Sequence, residues 1–133
     1  MITFDEMEII LDEIACEIPK EFYRELNGGI LLLPETKYHP ESHRQAGELY
    51  IMGEYYNDRK GYGGLGRYIK IYYGSFMQLY PNMPPQRLRE ELKKVLIHEF
   101  THHLESLAGE RDLEIKDAVD LERYRLRLRR REK

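Results

Sequence analysis

Apolar residues recur at helical spacing near the start of the chain. Phe4, Met7, Ile10, Leu11, Ile14 and Ile18 fall on one stripe, which predicts an amphipathic helix. Thr3 and Glu6 stand at capping-box spacing just ahead of it. Pro19 ends or kinks this helix, because proline removes a backbone donor and clashes with the preceding turn. Lys20 to Leu26 adds a short helical turn before the breaker Asn27-Gly28-Gly29. Cys16 lies beside the stripe and reads as a packed, structural thiol.

The pattern then becomes strand-like. Gly29 to Leu33 is short, apolar and bounded by turn residues. Glu48 to Tyr56 follows the loop Pro34–Gly47, and Arg67 to Tyr73, rich in β-branched and aromatic residues, follows the charged, glycine-rich stretch Asn57–Gly66. The last two form an antiparallel hairpin. Gly74-Ser75 opens a short helical turn, broken by Tyr80-Pro81-Asn82-Met83-Pro84-Pro85.

Helical periodicity returns most strongly from Pro85 to Leu107, with Leu88, Leu92, Val95, Leu96, Phe100, Leu104 and Leu107 on the buried side. Gly109 is placed to end this helix in a left-handed cap. A final helix is expected over Glu114 to about Arg129. The elements add up to one small α+β domain over residues 1–133, in which an N-terminal helix and a small mixed sheet are followed by the strong helix and a C-terminal one.

Composition narrows the function. A net charge of −3 excludes a chain that binds nucleic acid through overall charge. The exception is the run Arg123–Lys133, with seven basic residues and one acid, which reads as a solvated or frayed tail. No apolar run reaches the roughly 18–20 residues that span a bilayer. The start Met-Ile-Thr-Phe-Asp-Glu carries no basic and apolar leader pattern, and the one cysteine forms no disulfide framework. The expectation is a cytoplasmic protein without a membrane partner.

The chemistry concentrates in His98-Glu99-Phe100-Thr101-His102, an H-E-x-x-H sequence inside the strong helix. Residues four apart on an α-helix share a face and lie about 6 Å apart along the axis, so both imidazoles can meet one ion. Glu99 can then reach a water on that ion without ligating it, and zinc brings the water's pKa to about 7. The expected cofactor is Zn²⁺, with His98 and His102 as ligands and Glu99 as the catalytic base.

A catalytic zinc has three protein ligands and one open position. The candidates for the third are Asp112, Glu110, Glu114, Glu105, His39 and His43. Asp112 is preferred, because it follows Gly109, where the chain can turn back toward the site. Glu105 lies about 10.5 Å of rise beyond His98 and would have to reach far back along the helix, so it reads rather as a residue behind the ligands or a surface charge. His103 points about 100° away from the ligand face and reads as a packed or hydrogen-bonded histidine. Eight of the 11 tyrosines fall between Tyr50 and Tyr80. One of them could stabilise an oxyanion, but spacing does not select which.

With these residues in place, the chain resembles the small bacterial minimal zincin-like metallopeptidases, a family formerly known as a domain of unknown function. The resemblance runs through Glu17-Ile18-Pro19, Gly53-Glu54-Tyr55 and His98-Glu99-Phe100-Thr101-His102-His103, and covers nearly the whole chain. It implies a zincin-like arrangement and zinc-dependent hydrolysis of a peptide or protein substrate. In that family the motif runs on as H-E-x-x-H-H-F-G-x-x-D, with the Asp as third ligand. Here Leu104-Glu105-Ser106-Leu107-Ala108 precedes Gly109-Glu110-Arg111-Asp112, so the G-x-x-D element is kept with about one helical turn inserted.

Two other readings stand beside the peptidase. One is a metal-binding module of the same fold without appreciable catalysis. The other is a zinc-dependent endoribonuclease, whose H-x-x-x-H-x-x-x-x-x-H pattern fails here because position 108 is Ala. The run Gly61-Tyr62-Gly63-Gly64-Leu65-Gly66 matches G-x-G-x-x-G in form. A dinucleotide site needs a strand directly before and a helix after, whereas charged Asn57-Asp58-Arg59-Lys60 precedes this run and a β-rich run follows, so it reads as a hairpin loop.

Overall fold

The structure, a computed structural model, describes residues 1–40, 49–58 and 66–110. It opens on α1 (Phe4–Glu17), where both halves of the capping box form. The Glu6 amide donates to Thr3 Oγ1 at 3.1 Å, and the Thr3 amide donates to the Glu6 carboxylate at 2.9 Å. Met7, Leu11 and Ile14 are buried, as is Ile18 just past the helix end. Cys16 departs from the expectation: it is exposed. Two residues beyond the buried Ile14 it is rotated by about 200°, onto the outer face. Pro19 leads into a 3₁₀ turn at Lys20–Tyr23, whose Phe22 joins the core.

Five strands follow: β1 (Gly29–Leu33), β2 (Lys37–Tyr38), β3 (Tyr50–Ile51), β4 (Gly53–Asp58) and β5 (Gly66–Tyr72). The main sheet has the order β1-β5-β4, with β5 parallel to β1 and antiparallel to β4. The hairpin expected from the sequence is β4–β5. The predicted strand over Glu48–Tyr56 divides at Met52: Tyr50 and Ile51 pair with β2 in a separate two-stranded ribbon. The Pro34–Gly47 segment therefore contains a strand where a loop was expected. A two-residue strand is too short to show an alternation. Tyr73 does not extend β5; it begins α2 (Tyr73–Leu79).

The strongest helix is α3 (Pro85–Glu110). Leu88, Leu92, Leu96, Phe100, Leu104 and Leu107 are fully buried, each stabilising the fold by about 1.5–3 kcal/mol relative to exposure. Gly109 does not cap it, because the helix continues through Gly109 to Glu110 without a left-handed residue there. An isolated glycine costs a helix about 1 kcal/mol, which does not stop one of this length. The predicted helix at Glu114–Arg129, the basic run Arg123–Lys133 and residues 61–65 of the glycine-rich match lie outside the described residues. Gly66, the last of that match, leads straight into β5 and not into a helix.

The inward face of β4 lies on α3 in a repeated pattern. Gly53 sits against Val95, and a Cβ at Gly53 would come 2.9 Å from Val95 Cγ1. Tyr55 Oη is 2.9 Å from His103 Nδ1, and Asn57 Nδ2 donates to Ser106 Oγ at 3.3 Å. Alternate residues of a strand share a face, so positions 53, 55 and 57 make one row along the helix. The fold is a mixed α+β arrangement. Among the described residues, no helix is long and apolar enough to cross a membrane.

Candidate metal centre

Between Val95 and His103, α3 carries the motif beside β4. A cavity of about 650 Å³ opens there. Ile51, Gly53, Glu54 and Tyr55 line its strand side; His98, Glu99, His102, Glu105 and Ser106 line its helix side. His98 and His102 are exposed to it, whereas Glu99 is only 5% exposed. Helical spacing accounts for the difference, since Glu99 turns about 100° from His98, toward the sheet.

The two imidazoles converge. His98 Nε2 and His102 Nε2 are 3.1 Å apart with their rings nearly perpendicular. Two nitrogens bound to one tetrahedral zinc at about 2.0–2.1 Å would lie about 3.3–3.4 Å apart. The pair therefore fits a shared ion with only a small opening. Glu105 Oε2 lies 3.7 Å from Nδ1 of His102, the ring nitrogen turned away from His98. Its place is behind the ligand, where a carboxylate can orient the ring. Among the described residues no three metal-ligating side chains cluster. His39 is exposed at the end of the β2–β3 ribbon, its amide donating to Leu49 O, and does not line the cavity. Asp112, Glu114, His43 and the Glu110 side chain lie outside the described residues.

Burial pushes the Glu99 carboxyl up to about 7, and the charge of Glu54 adds to the rise. Glu54 moves the other way. Burial raises it, but hydrogen bonds from Lys37, Tyr72 and Tyr56 outweigh that and leave it below the ordinary carboxylate range. Its Oε1 accepts from Lys37 Nζ at 2.6 Å, Tyr72 Oη at 2.6 Å and Tyr56 Oη at 2.8 Å. The cavity thus pairs a carboxylate held ionised with one poised to exchange a proton near neutrality.

His103 is fully buried, as its angle on the helix implies. Burial lowers its pKa and keeps the ring neutral. Its Nε2 is 2.8 Å from the Arg24 carbonyl oxygen, which can only accept, so Nε2 carries the proton. Nδ1 is then the acceptor for Tyr55 Oη. Tyr55 lines the cavity wall, but its proton goes to His103 and not toward the histidine pair. Lys37 and Tyr72, which fix Glu54, had no signal in the sequence at all, being single residues joined only by the fold.

A mixed α+β chain with an H-E-x-x-H helix against the edge of its sheet is the class that fold and site define. No family profile and no curated protein matches the chain. A solved structure does: a conserved hypothetical protein from T. thermophilus, 32% identical, with a TM-score of 0.69 over 82% of this chain and 100% of that one. At that identity and coverage, the chain belongs to the same family as this protein.

Proposed function

We propose that this chain is a zinc-dependent metallopeptidase of the minimal zincin-like kind. The observation that carries the proposal is the convergence of His98 Nε2 and His102 Nε2 at 3.1 Å, beside the buried Glu99. His98 and His102 would hold the metal, with Asp112 proposed as third ligand. When bound, a zinc ion supplies a Lewis acid that polarises a carbonyl and acidifies water.

The other parts of the reaction belong to the chain's own side chains. Glu99 accepts the proton of the attacking water and returns it to the leaving amine. In the metal-free protein burial already raises this carboxyl to about 7, so it is not locked as a carboxylate. Glu105 steadies the His102 ring from behind. β4, the outer strand of the main sheet among the described residues, runs beside the cavity and gives an extended peptide a track to lie along.

The test is Glu99→Gln. Zinc content, measured on the purified protein, should stay at the wild-type level, while cleavage of an unstructured polypeptide should fall by about 10²–10⁴-fold. Wild-type protein that binds zinc and cleaves no member of a broad peptide panel would instead favour the metal-binding module. Loss of zinc in a His98→Ala variant with cleavage intact would remove the metal from the reaction.

A further inference from the structure

His103, the histidine that directly follows the motif, has no place in the reaction just described, yet it is fully buried and bonded at both ring nitrogens. We infer that His103 is a positioning residue: through Tyr55 it holds strand β4 at a fixed distance from the H-E-x-x-H helix, and so sets the width of the cleft that takes an extended peptide. The inference rests on the peptide-binding part of the proposed function.

The geometry is that of a strut with three attachments. His103 belongs to α3, its Nδ1 bonds Tyr55 of β4, and its Nε2 bonds the Arg24 carbonyl beyond the 3₁₀ turn. That carbonyl is presented where the chain reverses at Glu25, whose φ of 60° is left-handed. A side chain tied only to β4 could swing with the strand; one tied also to Arg24 cannot. The ring stands edge-on to Phe100 at 6.4 Å between centroids, which further limits its rotation.

The strut stands at one end of the motif. At the other end, Gly53 rests directly on Val95. His98, Glu99 and His102 all fall between these two points on α3, and both Gly53 and Tyr55 line the cavity. The strand is therefore held by direct contact at one end and by a hydrogen bond of fixed polarity at the other. The Tyr55 proton is committed to His103, so the hydroxyl serves the spacing and not the reaction.

The experiment uses the full chain loaded with zinc. Binding of fluorescein-labelled oxidised insulin B chain is read by anisotropy in the Glu99→Gln background, where binding is not followed by cleavage. Tyr55→Phe keeps the ring and removes the hydrogen bond; it should weaken binding about fivefold, the effect of one lost hydrogen bond. Zinc affinity by chelator competition should stay within about twofold, since neither ligand moves. His103→Asn, which can still accept from Tyr55, should recover part of the binding that His103→Leu loses.

Ile14→Ala is the control, because it opens the core beneath α1 at a residue that does not line the cavity. It should lower the melting temperature at least as much as Tyr55→Phe and leave peptide binding unchanged. Unchanged binding in Tyr55→Phe, or equal weakening in Ile14→Ala, overturns the inference. Wild-type cleavage of the same peptide is measured in parallel. Tyr55-dependent binding without wild-type cleavage refutes hydrolysis and leaves the strut standing. Cleavage whose KM ignores Tyr55 refutes the strut alone, and no detectable binding refutes both.

Discussion

Glu99 holds its carboxyl where the fold resists a charge. Burial and the nearby Glu54 raise it to about 7, whereas an unfolded glutamate titrates near 4.3. Between those values the unfolded chain gives up the proton more readily than the folded one. In the metal-free protein this residue therefore costs stability as pH rises through the window, with the full cost present above about 7. Glu99→Gln removes the cost. Melting curves in chelator from about pH 5 to 8 should show the variant gaining on the wild type as pH rises, then a constant gap. A gap independent of pH would refute the assignment. His98, Glu99 and His102 were readable because three residues at fixed helical offsets determine their own geometry. Cys16 misled for a related reason: near the edge of an apolar stripe, one position moves a side chain by about 100°.

The decisive contact between elements is the seat of β4 on α3. Gly53 is required there, since a Cβ would lie 2.9 Å from Val95 Cγ1, 3.1 Å from Ile71 Cδ1 and 3.2 Å from the Lys70 carbonyl oxygen. The side-chain ends can shift; the carbonyl is backbone. Gly53→Ala should cost about 1–3 kcal/mol by urea denaturation, as overpacking does. Adding Val95→Ala should recover part of it, because the two positions touch. A Gly53→Ala protein as stable as wild type would show that the strand can move off the helix. The elements themselves divide by how local their causes are. α1 was legible because Thr3, Glu6 and the stripe lie within one stretch, and α3 because its apolar spacing is long and regular. β2 was not, since two residues acquire strand geometry only from partners 12 and 14 positions away, Tyr38 pairing with Tyr50 and Lys37 with Ile51. Nor was the parallel run of β1, which depends on how the chain crosses over, or the Tyr55–His103 bond, which joins residues 48 positions apart.

For the molecule as a whole, the proposed metal would tie function to stability. Zinc at a hundredfold excess over its dissociation constant should stabilise the folded state by about 2.7 kcal/mol, provided it binds only that state. Thermal melts with zinc and with chelator measure the difference directly. His98→Ala and His102→Ala should each abolish the zinc-dependent gain while altering the metal-free melting temperature little, because both side chains are exposed. A zinc-dependent gain that survives both substitutions would place the metal elsewhere.

The strand order also dictates a sequence in time. β5 is the middle strand, and its two neighbours reach it on different schedules. Asp58 and Gly66 of the hairpin are eight positions apart, but Gly29 and Tyr68 are separated by 39 (68 − 29). At about 5–20 residues per second of synthesis, β1 leaves the ribosome roughly 2–8 s before its partner strand does. The apolar Ile30-Leu31-Leu32-Leu33 must wait through that interval without a sheet. α3 is made later still, so its histidines meet the edge of a sheet whose described strands have all been synthesised before them.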